Sequence, residues 1–141
     1  MRFVVDAPNG KSWFRLETET EAVQESEFMR HAVEKYFRLE REKAIQTYQP
    51  ASKSFIEQDI GLNAHIQRTM PLFLTLRDED GKAHVTAMLP PGGKGDSGGR
   101  CIIVGPGNAD PYPGESDAIR ALGDHFGLSL ERDRCYPYQR G

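Results

Sequence analysis

The chain has 141 residues, 38% hydrophobic and 28% charged, with a net charge of −3. That length suits a single globular domain, 1–141, with a core that does not depend on metal or disulfide staples, and the composition excludes a disordered chain. With 18 basic against 21 acidic side chains, a sequence-independent grip on nucleic acid is not expected.

No apolar run approaches the roughly 20 residues of a membrane-spanning helix, so no membrane partner is expected. Arg2, followed by a few apolar residues and then Asp6, Pro8, Asn9 and Gly10, does not read as a secretory leader. Cys101 and Cys135 are the two cysteines. The expected compartment is the cytoplasm, with both thiols reduced.

The first element reads as a β-hairpin centred on Asn9-Gly10, the preferred pair for a two-residue turn. That register sets Val5 against Phe14, Phe3 against Leu16 and Arg2 against Glu17. Trp13 then falls on the opposite face, with Val4, Asp6 and Arg15. A helix follows, over 20–48. Ala22, Met29, Val33, Tyr36 and Phe37 make its apolar stripe, and Glu27, His31, Glu34 and Arg38 fall on the other side. Glu19, Glu21 and Glu25 crowd its N-terminal end, where the helix dipole favours negative charge. A straight helix of that span would run about 43 Å, so a bend or break is expected near residues 39–44.

Within 52–70 a short helix is expected. Ser54 and Glu57 fit a capping box, Gly61 interrupts, and Leu62, Ile66 and Met70 recur at helical spacing up to Pro71. A second hairpin turns at Asp80-Gly81. It pairs Leu76 with Val85, Leu74 with Ala87 and Leu72 with Leu89, and sets Glu79 against Lys82. One face is wholly aliphatic. The other carries Phe73, Thr75, Thr86 and His84, the pattern of a sheet buried on one side.

Residues 90–100 contain five glycines and read as a flexible loop. Cys101-Ile102-Ile103-Val104 is a continuous apolar run that suits a central strand covered on both faces. After a turn-rich stretch, Ser116 caps a helix with Ile119, Leu122 and Phe126 inward and Gly127 closing its end. Residues 131–141 read as an extended or mobile tail. The expected fold is therefore α+β. An antiparallel sheet of about five strands, two hairpins plus a central strand, packs against one long helix and one or two shorter ones.

Three constellations bear on chemistry. Gly95-Asp96-Ser97-Gly98-Gly99 resembles the segment around the nucleophilic serine of chymotrypsin-like serine proteases. In that family the glycines free backbone N–H groups for an oxyanion hole, and the serine needs a histidine base and a carboxylate. The resemblance covers five residues, and none of His31, His65, His84 or His125 lies in that family's Thr-Ala-Ala-His-Cys context. Gly105-Pro106-Gly107-Asn108 precedes a helix, as phosphate-binding loops do, but Asp110, Glu115 and Asp117 crowd the approach. His84, His125 and Asp124 lack metal-ligand spacing, so neither metal nor cofactor is expected.

What remains is a binding surface. Tyr136, Tyr138 and Arg140 in the tail, and Arg41 and Tyr48 in the far half of the long helix, are residue types over-represented at interface hot spots. The preferred reading is a small non-catalytic module that binds another protein. One alternative is a small hydrolase with Ser97 in its glycine-rich loop and His65 or His84 as base. The other is a small-molecule binder with a pocket between sheet and helix.

Overall fold

The computed structural model describes residues 1–49, 55–94 and 100–138, the side chains of 55–58 excepted. Ser54 and the side chain of Glu57, the expected capping pair, and residues 95–99 of the glycine-rich loop lie outside what it describes.

Five antiparallel strands form one sheet in the order β1-β2-β3-β4-β5: β1 (Arg2–Ala7), β2 (Lys11–Arg15), β3 (Leu72–Arg77), β4 (Ala83–Leu89) and β5 (Ile102–Val104). Among the described residues four α-helices accompany them: α1 (Glu19–Met29), α2 (Val33–Gln46), α3 (Phe55–Thr69) and α4 (Tyr112–Phe126). The α+β class and the five-stranded antiparallel sheet are as expected. The apolar run at 101–104 is not central, however. β5 is three residues long and sits at the sheet edge. Its outer side is met by the C-terminal segment, where Ile102 bridges Tyr136 in parallel.

The β3–β4 register matches the alternation of the sequence, with Leu72 opposite Leu89, Leu74 opposite Ala87 and Leu76 opposite Val85. Its turn does not. A bulge follows Leu76, and Asp78 closes the loop by accepting from the N–H groups of Asp80 and Lys82. Glu79 therefore does not pair with Lys82.

The first hairpin is shifted from its expected register. Its loop holds three residues, Pro8, Asn9 and Gly10, with Asn9 at φ 64° and Gly10 at φ 71°. The extra loop residue moves the pairing by one, and a bulge between Phe3 and Val5 moves it again. Val5 meets Trp13 and Phe3 meets Phe14. A one-residue slip exchanges faces, so Trp13 enters the main core. It is 0% exposed, and its Nε1–H donates to Ala118 O at 2.8 Å.

Both faces of the sheet are covered, which replaces the expected one-sided burial. On one face, Trp13, Leu74, Leu76, Val85 and Ile103 pack with Ile119 and Leu122 of α4. On the other, Leu16 and Phe73 pack with Ala22, Phe37, Ile66 and Met70 from α1 to α3 and the turn after α3. β3 is buried along nearly its whole length for this reason.

The expected long helix is two helices, and the break lies near residue 30 rather than at 39–44. Thr18 caps α1 in a capping box with Glu21. Arg30 ends it in the left-handed region at φ 56°. The Ser26 hydroxyl then accepts from Glu34 N–H at 2.9 Å, helping to cap α2. α3 runs through Gly61 without interruption, and the missing Cβ there leaves room for the Tyr48 hydroxyl. α4 begins at Tyr112, not Ser116. Its backbone kinks at Glu115, and Ser116 Oγ donates to Tyr112 O instead of capping the helix.

Candidate functional site

A buried polar chain runs between the sheet and the α1–α2 elbow. Glu25 of α1 is 0% exposed. One carboxylate oxygen accepts from Arg77 Nη2 at 2.8 Å and the other from Thr86 Oγ at 2.6 Å. Arg77 also donates from Nε to Thr75 Oγ1 at 3.0 Å and from Nη1 to Gly81 O at 3.1 Å. A buried carboxylate is tolerated only with this kind of pairing.

The chain continues to His31, in the elbow after α1, whose Nε2 lies 2.8 Å from Thr86 Oγ1. A threonine hydroxyl has one proton, and Thr86 gives it to Glu25. His31 must therefore donate from Nε2, which leaves Nδ1 as an acceptor. The backbone supports that tautomer: Val33 N–H points at Nδ1, at a long 3.4 Å. Burial holds the imidazole below its ordinary protonation range, with the Glu25 charge opposing it. The ring is neutral at physiological pH.

His31 lines a mostly apolar cavity of about 340 Å³. Val33 and Tyr36 bound it on the helical side, and Phe73, Thr86 and Met88 form the sheet floor. Ile102 and Val104 of the edge strand and Tyr136 and Pro137 of the C-terminal segment close the far wall. The cavity exists because α1 to α3 cover this face only as far as the elbow. Two other depressions, about 480 Å³ beside Phe28 and Arg77 and about 670 Å³ beside the end of α4, are larger. Both are more open, with walls about as polar as apolar.

The C-terminal segment is placed by its own contacts. Tyr136 N–H donates to Cys101 O at 2.8 Å, and Ile103 N–H donates to Tyr136 O at 3.2 Å. Alternation along this bridge sends Tyr136 to the cavity and Cys135 toward the α4 face, where Cys135 is fully buried. Tyr138 packs edge-on against Tyr112, beneath the Arg132 guanidinium at 4.5 Å. The described part of the expected mobile tail thus folds back on the body. Burial pushes the Cys101 thiol up to about 11, so it is protonated and a poor nucleophile near neutral pH.

The residues singled out from sequence are not gathered in one place. Tyr136 is at the cavity and Tyr138 is not. Arg41 is exposed on α2, and the Tyr48 ring lies tilted at 5.3 Å against His65, which bonds Thr47 Oγ1 at 2.8 Å. His84 bonds Asp78 at 2.8 Å, with Glu115 at 4.0 Å on its other nitrogen. Ser97 and Arg140 lie outside the described residues. Among the described residues, no group of three or more His, Cys, Asp or Glu side chains is placed to hold a metal, and no helix is long and apolar enough to cross a membrane.

Sequence reasoning missed Glu25 and His31. It placed Glu25 with the solvated acidic cluster of a helix start and His31 on an outer helix face. Their partners are 61 and 55 residues away in the chain, and no local pattern marks that meeting. Comparison with protein-family models, curated proteins and solved structures finds no match to this chain.

Proposed function

We propose that this chain is a small-molecule-binding protein that holds a mostly apolar ligand between the edge strands, the α1–α2 elbow and the C-terminal segment. The observation that carries this reading is the cavity itself. It is concave and apolar, and a fully bonded buried polar chain ends at its wall in an imidazole acceptor. Small-molecule sites have this make-up, with apolar walls and a few fixed polar groups, and begin at about 300 Å³. The paired arrangement of Arg77, Glu25 and Thr86 fixes the His31 ring in advance of any ligand, which lowers the entropy lost on binding.

This reading is preferred to a module that docks another protein. That reading drew on Tyr136, Tyr138 and Arg140 of the tail and on Arg41 and Tyr48, and Tyr138 and Tyr48 pack within the fold. The free thiols of Cys101 and Cys135 fit a reducing compartment, and we read the cytoplasm as the location.

A methyl-labelled fragment screen by NMR tests the proposal. Binding fragments are expected to shift the methyls of Val33, Ile102 and Val104 and leave those of Leu74 and Leu122 unmoved. A screen with no hits, or hits that cluster beside the end of α4, would count against it.

A further inference from the structure

We infer that the cavity takes an aromatic ligand bearing an acidic hydroxyl, a phenol, with the hydroxyl donating to Nδ1 of His31. This deepens the reading above and rests on it. The first support is the fixed tautomer. Glu25 consumes the Thr86 proton, Thr86 consumes the His31 Nε2–H, and Nδ1 keeps its lone pair. Its protein partner, Val33 N–H, is at the outer limit of a hydrogen bond at 3.4 Å. A stronger donor in the cavity would improve on that contact.

The second support is the lining. Phe73 and Met88 form part of the floor, and the half-exposed Tyr36 and Tyr136, with Pro137, line the walls. Ring edges, a thioether and a proline suit a flat aromatic body. The third is charge. Glu25 is linked to His31 through a single hydroxyl, so its charge polarises the ring and makes Nδ1 a better acceptor. A phenol hydroxyl donating to Nδ1 is thereby held more strongly, with the proton remaining on the phenol oxygen and both partners neutral.

The test compares 4-cyanophenol with 4-cyanoanisole, the same body with its hydroxyl proton replaced by a methyl group, on the intact chain at neutral pH. The phenol is expected to bind about tenfold more tightly, the worth of one buried hydrogen bond. It should also move the ¹⁵N resonance of His31 Nδ1 toward the protonated range. In His31→Phe the preference of phenol over ether should disappear. The nitrogen shift is read on the unaltered chain, so the test does not depend on the variant folding. Equal binding of phenol and ether would overturn the hydroxyl assignment and leave the apolar cavity standing. A preference undiminished in His31→Phe, or a Nδ1 resonance that stays put, would overturn the role of His31. Failure of both probes to bind would count against the cavity reading as well.

Discussion

The hydroxyl of Thr86 donates to the carboxylate of Glu25 across 2.6 Å, in a place where Glu25 has no solvent exposure. This contact orders everything around it. It satisfies the carboxylate oxygen that Arg77 does not reach, and it fixes which way the next hydrogen bond runs. Thr86→Val is expected to cost about 1–3 kcal/mol, because it leaves that oxygen buried without a donor. Arg77→Ala is expected to cost about 3 kcal/mol or more, since it strips the cation from a buried carboxylate. Urea unfolding monitored by the fluorescence of Trp13 measures both. A loss under about 0.5 kcal/mol for Arg77→Ala, the size of an ordinary surface substitution, would show that the network is not structural.

The neutral state of His31 gives a pH dependence with a definite sign. Burial holds its folded pKa below the ordinary 6.5. The unfolded chain therefore takes up a proton first as pH falls, and stability drops below about pH 6.5. The difference between the unaltered chain and His31→Gln is expected to narrow between about pH 7.5 and about pH 5.5, through a steeper fall in the unaltered chain. Parallel stability curves would contradict the assignment.

Removal of the C-terminal segment is expected to destabilise the fold. Truncation after Glu131 exposes Cys135's buried surroundings, deletes two backbone hydrogen bonds to the edge strand and removes the Tyr138 ring from Tyr112. The combined loss is about 2–3 kcal/mol, and it opens the far wall of the cavity. An unchanged melting temperature would mean that this segment is not docked in solution.

Gly123 makes a separate test of how α4 meets the segment after it. Replacing a helix glycine by alanine ordinarily stabilises by up to about 1 kcal/mol. Here a Cβ would stand 2.6 Å from the carbonyl oxygen of Leu128 and 3.3 Å from Leu130 Cγ. Gly123→Ala is expected to lower the melting temperature despite its better helix propensity. A rise would show that the chain after α4 gives way easily.

Local patterns made some of this fold legible. The aliphatic alternation on either side of Asp80-Gly81 specified the β3–β4 register, because only one pairing keeps six aliphatic side chains together. Ile119, Leu122 and Gly127 marked α4 and its end for the same kind of reason. The first hairpin slipped because Asn9-Gly10 is read as a two-residue turn, and the strands close around three residues. The helix break was invisible because Arg30 adopts a left-handed conformation that glycine or asparagine would have signalled. The candidate site was the least legible part. Its essential contacts join α1 to β3 and β4, and a buried glutamate looks like a surface one until its arginine is found.

Ligand binding in the cavity beside His31 is tested by one filling variant. Val104 pairs with Thr86 across β4 and β5, so its side chain lies on the cavity face. Val104→Phe fills space with a residue that strands accept well. Titration of the tightest-binding fragment into both proteins by calorimetry is the measurement. An affinity loss of about tenfold or more is expected, with the melting temperature held within a few degrees. Unchanged affinity in a folded Val104→Phe protein would place the ligand outside this cavity and overturn the proposed site.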